Sequence, residues 1–303
     1  MKKIVIICGP TGVGKTSFAI RLAQQFHGEI VGADSMQIYR HMDIGTAKPD
    51  PEEMNLIHHH LIDVIDPHEE FDAGRYVKLA DEAIEDILSR GKVPIITGGT
   101  GLYIKALLNG LFRSESVCIK TLSRLTRELE EKGAHALHEK LAGCDPKAAD
   151  KIHPHDSFRV IRALEVFQTT GNRISEHQEQ HGFHSRRYAG LKIGLHMERE
   201  ELYEGINHRV EAMLDKGLLN EVTSLVERGY SLDLKSMQSI GYKHMAMFLR
   251  KEADLAEAVR LLKRDTRRYA KRQFTWFRKD KDIIWLNPSE IDSAKKLIKE
   301  FLT

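Results

Sequence analysis

Residues 9–16, Gly9-Pro10-Thr11-Gly12-Val13-Gly14-Lys15-Thr16, fit the pattern G-x-x-x-x-G-K-[ST]. Its chemistry is phosphate binding. Glycines at 9, 12 and 14 let the backbone curl until several N–H groups converge. A helix that follows adds its positive end. Lys15 contributes a point charge, and Thr16 a hydroxyl that suits the oxygen-seeking Mg²⁺ ion. Such a loop recognises phosphate oxygens, not a base. ATP and GTP are the usual ligands, but another phosphate compound would fit it too. The carboxylate that an NTPase usually places at the end of another strand is weakly indicated. "KVPIITGGTG" ends in glycines; "LIDVID" offers Asp63 and Asp66, but Asp66-Pro67 reads as the start of a loop. Asp34 in "ADSMQIY" stands out instead, at the mouth of the second strand.

These residues need a scaffold, and the flanking sequence supplies one. "KKIVIICGP" is a continuous β-branched run, as in a parallel strand buried on both faces. "GKTSFAIRLAQQF" follows with helical spacing at Phe18, Leu22 and Phe26. "GEIVGADS" reads as a second strand. "GRYVKLADEAIEDILSRGK" reads as a helix with Tyr76, Leu79, Ala83 and Ile87 on one side, and "KVPIITGG" as a third strand. This alternation predicts an α/β fold: a P-loop NTPase-like core with a parallel sheet flanked by helices. Ligands of such sheets bind beyond the carboxyl ends of the strands, where the loop, Asp34 and Gly98-Gly99-Thr100 all fall. Between about Phe112 and Tyr188 helical patterns run with no strand between them. The chain is therefore expected to be a core of residues 1–112 and 189–303, with a helical insertion domain at 113–188. "GLKIGLHM" and "DIIWLN" read as the later strands of the core.

The 303 residues carry a net charge of only +2, so the total charge does not announce a nucleic-acid binder. Cys8, Cys118 and Cys144 are far apart and form no C-x-x-C pair, which argues against a disulfide framework or zinc ribbon and fits a cytoplasmic location. "MKKIVIICGP" begins like a signal peptide, but its apolar run is too short, and no segment approaches a membrane span. His58-His59-His60 invites a metal reading. Consecutive side chains point in different directions, which argues against one ion shared by all three.

Eight stretches occur in order: "GPTGVGKT", "DSMQIY", "DIGTAKP", "HHLID", "GGTGLYIKALLNGL", "IHPHDSFRVIRALEVFQTTG", "SIGYKH" and "TRRYAKRQFTWFR". Together they resemble the bacterial tRNA dimethylallyltransferases, the IPP transferase family, over nearly the whole chain. The resemblance implies transfer of a dimethylallyl group from dimethylallyl diphosphate to N6 of adenosine 37, next to the anticodon of a tRNA. On that reading the loop, with Mg²⁺ at Thr16, stabilises charge on the departing diphosphate. Asp34 is then the base that accepts the amine proton; the plainer role for Asp34 is to cap a turn with Ser35. The base must be extruded from its stack to reach the crevice. By the same resemblance Asp34, Ser35, Met36, Gln37 and Thr100 meet the tRNA, and Arg209 in "EGINHRVEAML" is the diphosphate arginine. A surface salt bridge is the ordinary alternative for Arg209. The resemblance also assigns tRNA contacts to Phe158, Arg159, Val160, Ile161 and Arg162, and to Gln238, Ser239, Ile240, Gly241, Tyr242 and Lys243. Two departures stand out. Phe158 occupies a position where members often carry Gln, and "RSESVCIKTLSRL" replaces a Pro-Ala-Asp-rich linker.

Arg260 to Lys279 hold nine Lys/Arg and one Asp. Leu255, Val259, Leu262, Thr266, Tyr269, Gln273 and Trp276 form the expected inner stripe of one helix. Arg260, Arg264, Arg268 and Arg272 align on another face, with Arg267 and Lys271 beside them, as an RNA backbone would require. The expected partners are thus tRNA and dimethylallyl diphosphate, with no membrane and a monomeric chain. Three other readings remain open at this point. They are a small-molecule kinase using ATP, an RNA-binding module with a vestigial loop, and a prenyltransferase acting on free adenine nucleotides.

Overall fold

The computed structural model describes residues 1–110, 119–181 and 186–303. Cys118 and the first part of "RSESVCIKTLSRL" lie outside the described residues. The chain divides into two compact units, residues 1–108 with 187–303 and residues 109–186.

The first unit begins with β1 (Lys3–Cys8), α1 (Lys15–Gln25), β2 (Gly28–Gly32), α2 (Pro51–Leu56), β3 (His59–His60), α3 (Ala73–Ser89), β4 (Val93–Gly98) and α4 (Gly101–Asn109). Helices α5 (Ile119–Cys144), α6 (Pro146–Lys151), α7 (Ser157–Thr170) and α8 (Ile174–His181) belong to the second unit. The first unit then resumes with β5 (Ala189–Leu195), α9 (Arg199–Asp215), α10 (Leu218–Glu227), α11 (Tyr242–Leu249), α12 (Leu255–Phe277), β6 (Ile284–Leu286) and α13 (Ile291–Leu302).

The six strands form one sheet in the order β3-β2-β4-β1-β5-β6, and every pairing is parallel. The expected α/β class is what the chain adopts. β1 shows why its apolar run is unbroken. Ile4, Ile6 and Cys8 enter one core cluster with Tyr76 and Ile84 of α3 and Leu262 of α12. Val5 and Ile7 enter the opposite cluster with Phe18 and Leu22 of α1 and Ile298 of α13. Each Ile so buried contributes about 1.5–3 kcal/mol. The two-residue β3 was not among the expected strands, because two residues carry no periodic signal; His59 lies opposite Ile30 and His60 opposite Val31.

Two helix faces differ from the expected stripes. On α3 the fully buried residues are Tyr76, Ala80, Ile84 and Ile87. On α12 they are Ala258, Leu262, Ala270, Gln273 and Phe277, while Leu255 and Trp276 are exposed. Trp276 therefore is not core, as the stripe had it. Its indole lies against Gly101, where a Cβ would stand 2.1 Å from Nε1, and Phe277 takes the inward position. The second unit has its own core, in which Leu125, Leu137 and Leu141 of α5 meet Val160, Ile161 and Leu164 of α7. No helix among the described residues is long and apolar enough to cross a membrane.

The carboxyl end of β4 leaves no room for a side chain at Gly98. A Cβ on Gly98 would stand 2.1 Å from the Ala33 carbonyl oxygen, which accepts from the Thr100 amide at 3.1 Å. Gly98→Ala is expected to lower the urea unfolding midpoint by an amount equivalent to about 1–3 kcal/mol, the range for overpacking.

Candidate active site

The phosphate loop joins β1 to α1 as its residue types require. Gly12 and Gly14 both have φ of 85°, a left-handed conformation that glycine adopts at no steric cost. Gly14 is the N-cap of α1 and makes no side-chain cap, so the first amides of α1 are free to meet an anion. Lys15 Nζ donates to the Pro10 carbonyl at 2.7 Å, folded over the loop it would serve. Val13 is buried and anchors the loop to the core. Burial, and then the Arg209 charge, lower the Lys15 ammonium to about 8, with Asp34 opposing. Burial likewise lowers Arg209, and Asp34 again opposes. Two poorly hydrated cations gain from an anion placed beside them, and the free amides of the loop point to the same ligand.

A cavity of about 220 Å³ is lined by Thr11, Gly12, Gly14, Lys15, Thr16, Asp34, Arg209 and Tyr269, among others. A second cavity of about 310 Å³ has Thr11, Asp34, Thr46, Arg209 and Tyr269 in common with it, and adds Ser35, Met36, Gln238, Ser239, Ile240 and Arg272. Asp34 thus stands where a phosphate cradle passes into a larger space. Arg209, on α9, lines both cavities and has no salt bridge among the described residues.

The Asp34 carboxylate does cap a turn. Oδ1 accepts the amides of Met36 at 2.8 Å and Gln37 at 3.4 Å. No hydrogen bond among the described residues engages Oδ2, so the capping oxygen aims the other one. The Thr100 hydroxyl accepts the Ser35 amide at 3.0 Å and fixes the same loop. The Gln37 side chain is spent on the carbonyls of Thr46 and Ala47, at 3.2 and 3.0 Å.

Other expected residues separate by burial. Tyr242 is fully buried, donates to Glu221 Oε1 at 2.6 Å and packs on Gly45. Gly241 is buried at the N-cap of α11, and Lys243 pairs with Asp265 at 3.0 Å. Of this segment it is Gln238, Ser239 and Ile240 that line the larger cavity. In the second unit Phe158 is 77% exposed and Arg159 reaches Asp156 at 3.4 Å, whereas Val160 and Ile161 are core. The side chains of Val160 and Ile161 pack inward, which leaves Phe158 and Arg159 as the exposed side chains of this stretch. Arg162 pairs with the buried Glu165.

The basic face of α12 is partly neutralised, contrary to its reading as nearly free of opposite charge. Arg260 meets Glu257 at 2.6 Å, Lys263 meets Glu211 at 2.6 Å, and Arg264 meets Asp265 at 2.9 Å. Arg267 donates to Asn207. Arg268 lies 4.0 Å from Asp265. Arg272 has no ion pair among the described residues and sits 5.6 Å from the centre of the Tyr269 ring. The uncompensated positive charge therefore lies in the later part of α12, where Arg272 lines the larger cavity.

Asp63, considered as a metal carboxylate, is held by Lys48 at 2.5 Å. Ligand atoms of Glu29, His58 and His60 lie within 4.8 Å of one another. Glu29 already receives Arg90, Lys92 and His60, which hold its carboxyl far below the usual range. A divalent ion there would meet two resident cations, so the cluster is an ion-pair anchor for β2, β3 and β4. For Mg²⁺ the better donor is the Thr16 hydroxyl, which lines the phosphate cavity.

Two residues of the site were not singled out from sequence. Gln273 is buried and bonds to both the phosphate loop and Gly99. Tyr269 is pushed up to about 12 by burial and the Asp34 charge, and remains a donor at neutral pH. The signal was present in Gln273, a polar residue on an apolar stripe.

A parallel α/β sheet with a phosphate loop, opening at its carboxyl edge into a second cavity, places the chain in the P-loop class. Residues 37–280 match the model of the family described as IPP transferase. The chain is 52% identical over 301 residues to the tRNA dimethylallyltransferase of Desulfosudis oleivorans, covering 99% of this chain and 96% of that one. The chain belongs to the IPP transferase family. A tRNA dimethylallyltransferase of Acetivibrio thermocellus is also 52% identical, over 300 residues, covering 99% and 96% of the two chains. Among solved structures, the tRNA isopentenylpyrophosphate transferase of Bacillus halodurans superposes with a TM-score of 0.71 at 42% identity, covering 99% of this chain and 95% of that one. A eukaryotic dimethylallyltransferase acting on tRNA gives a TM-score of 0.80 at 33% identity, with 95% and 74% covered.

Lys15 supplies a pH test. It is cationic below about 8 and loses charge above it. Affinity for dimethylallyl diphosphate, read by calorimetry, is expected to fall as pH rises from 7 to 9. Lys15→Ala is expected to bind more weakly and with little dependence on pH over that interval.

Proposed function

We propose that the protein transfers the dimethylallyl group of dimethylallyl diphosphate to N6 of adenosine 37 in tRNA and releases diphosphate. The observation that carries this reading is the position of Asp34, which lines both the phosphate cavity and the larger one beside it. The names and likeness of the relatives support it. The N6 lone pair forms a bond to C1 as the C1–O bond breaks, and that bond's electrons leave with the diphosphate. The loop amides from Gly12 to Thr16, Lys15 and Arg209 receive the developing charge. The N6 proton passes to Asp34 Oδ2, while Oδ1 stays on the amides of Met36 and Gln37. Thr16 would hold Mg²⁺, which would supply Lewis-acid stabilisation of the phosphate oxygens. In the first unit the cations in the later part of α12 are suited to an RNA backbone. In the second unit, taken by itself, Arg159 is suited to a phosphate and the exposed Phe158 to an unpaired base. The protein acts as a monomer in the cytoplasm.

Incubation with radiolabelled dimethylallyl diphosphate and either unmodified tRNA or AMP is expected to label the tRNA. Label in AMP, or ATP consumption with no label in either acceptor, would overturn the reading. Asp34→Asn is the informative variant, because an amide oxygen still caps the turn. It is expected to keep tRNA affinity and lose about 10²–10⁴-fold in kcat, the usual contribution of a general base. Wild-type turnover in Asp34→Asn would reduce Asp34 to its capping role.

A further inference from the structure

We infer that Gln273 is a positioning residue that locks the leaving-group loop to the loop bearing Asp34, and so fixes the register between a bound diphosphate and the base. The inference rests on the transferase reading for its consequence, but on geometry for its substance. Gln273 is 6% exposed, and both ends of its amide are used. Oε1 accepts the Thr11 amide of the phosphate loop at 2.8 Å. Nε2 donates to the Gly99 carbonyl at 2.9 Å. The next residue, Thr100, accepts the amide of Ser35, the neighbour of Asp34. One turn earlier on α12, Tyr269 sits beside the side chains of Gln273 and Thr100. A path of hydrogen bonds and peptide links therefore runs from Thr11 through Gln273, Gly99 and Thr100 to Ser35 and Asp34.

Gly99 supports a built contact. It is not among the glycines with positive φ, so its backbone does not require glycine. Space does: a Cβ at this position would stand 2.1 Å from Gln273 Nε2. The glycine is there for the amide. A carboxylate or an apolar side chain of similar length cannot both accept from an N–H and donate to a carbonyl. The same helix carries Arg272 into the larger cavity, so the clamp also references both loops to the basic helix.

The test is a double-mutant cycle on the full chain with Gln273→Ala, Gly99→Ala and the pair, since Gly99→Ala expels the same amide without altering it. Each single variant is expected to lose at least about tenfold in kcat, in keeping with the up to about hundredfold cost of a 1 Å misplacement. Each should also bind dimethylallyl diphosphate several-fold more weakly, with tRNA affinity held within about twofold. The pair should lose no more than the worse single variant, because one clamp is removed in all three. Wild-type kcat in Gln273→Ala, additive losses in the pair, or a parallel fall in tRNA affinity and thermal midpoint would each overturn the inference. If the wild type transfers no prenyl group, the transferase reading fails by itself. Dimethylallyl diphosphate affinity across the cycle then still decides the clamp.

Discussion

Backbone must approach backbone at the carboxyl edge of β1, β2 and β4, and the site depends on that closeness. A Cβ on Gly9 would stand 2.6 Å from the Leu195 carbonyl oxygen, and one on Gly98 2.1 Å from that of Ala33. Without side chains there, the phosphate loop can curl over the sheet and Thr100 can reach the Asp34 loop. Gly99 and Gly101 admit Gln273 and Trp276 of α12 by the same means. Four glycines far apart in role thus serve one end. They bring three loops and one helix close enough for hydrogen bonds of about 3 Å to register them.

The electrostatics follow from this crowding. Lys15 and Arg209 lose hydration, which lowers both, and Asp34 offsets part of that penalty. Glu53 also lines the cradle, so its two cations face two carboxylates. A phosphate anion beside Lys15 and Arg209 would stabilise their charged forms, so part of the unfavourable desolvation becomes binding energy. Asp34 serves this arrangement twice: as a counter-charge, and as a carboxylate with one oxygen fixed and the other uncommitted.

Glu221 shows a comparable economy away from the chemistry. Its carboxylate accepts the amides of Asp43, Ile44 and Gly45 and the hydroxyl of Tyr242. One side chain on α10 thereby sets the turn that carries Thr46 and Ala47, whose carbonyls hold Gln37. The "DIGTAKP" and "SIGYKH" stretches meet through packing and this anchor, which gives Gly45 and Tyr242 a structural reason for their identities.

By itself the sequence determined the sheet strands longer than two residues, the phosphate loop and the family, because these rest on local order: β-branched runs, glycines at fixed offsets and motifs in series. It also named Asp34 and Arg209, though not the cavity junction that gives them a common purpose. The tertiary structure alone decided how the inward face of α12 ends, with Trp276 on the rim against Gly101 and Phe277 in the core. It alone placed Val160, Ile161 and Tyr242 inside, and paired Lys263 of α12 with Glu211 of α9. Gln273 is the clearest case. In sequence it is one polar residue on a stripe, and its two partners stand 262 and 174 residues away. Burial, hydrogen-bond satisfaction and charge pairing are properties of what the folded chain brings alongside a residue, and local spacing does not carry them.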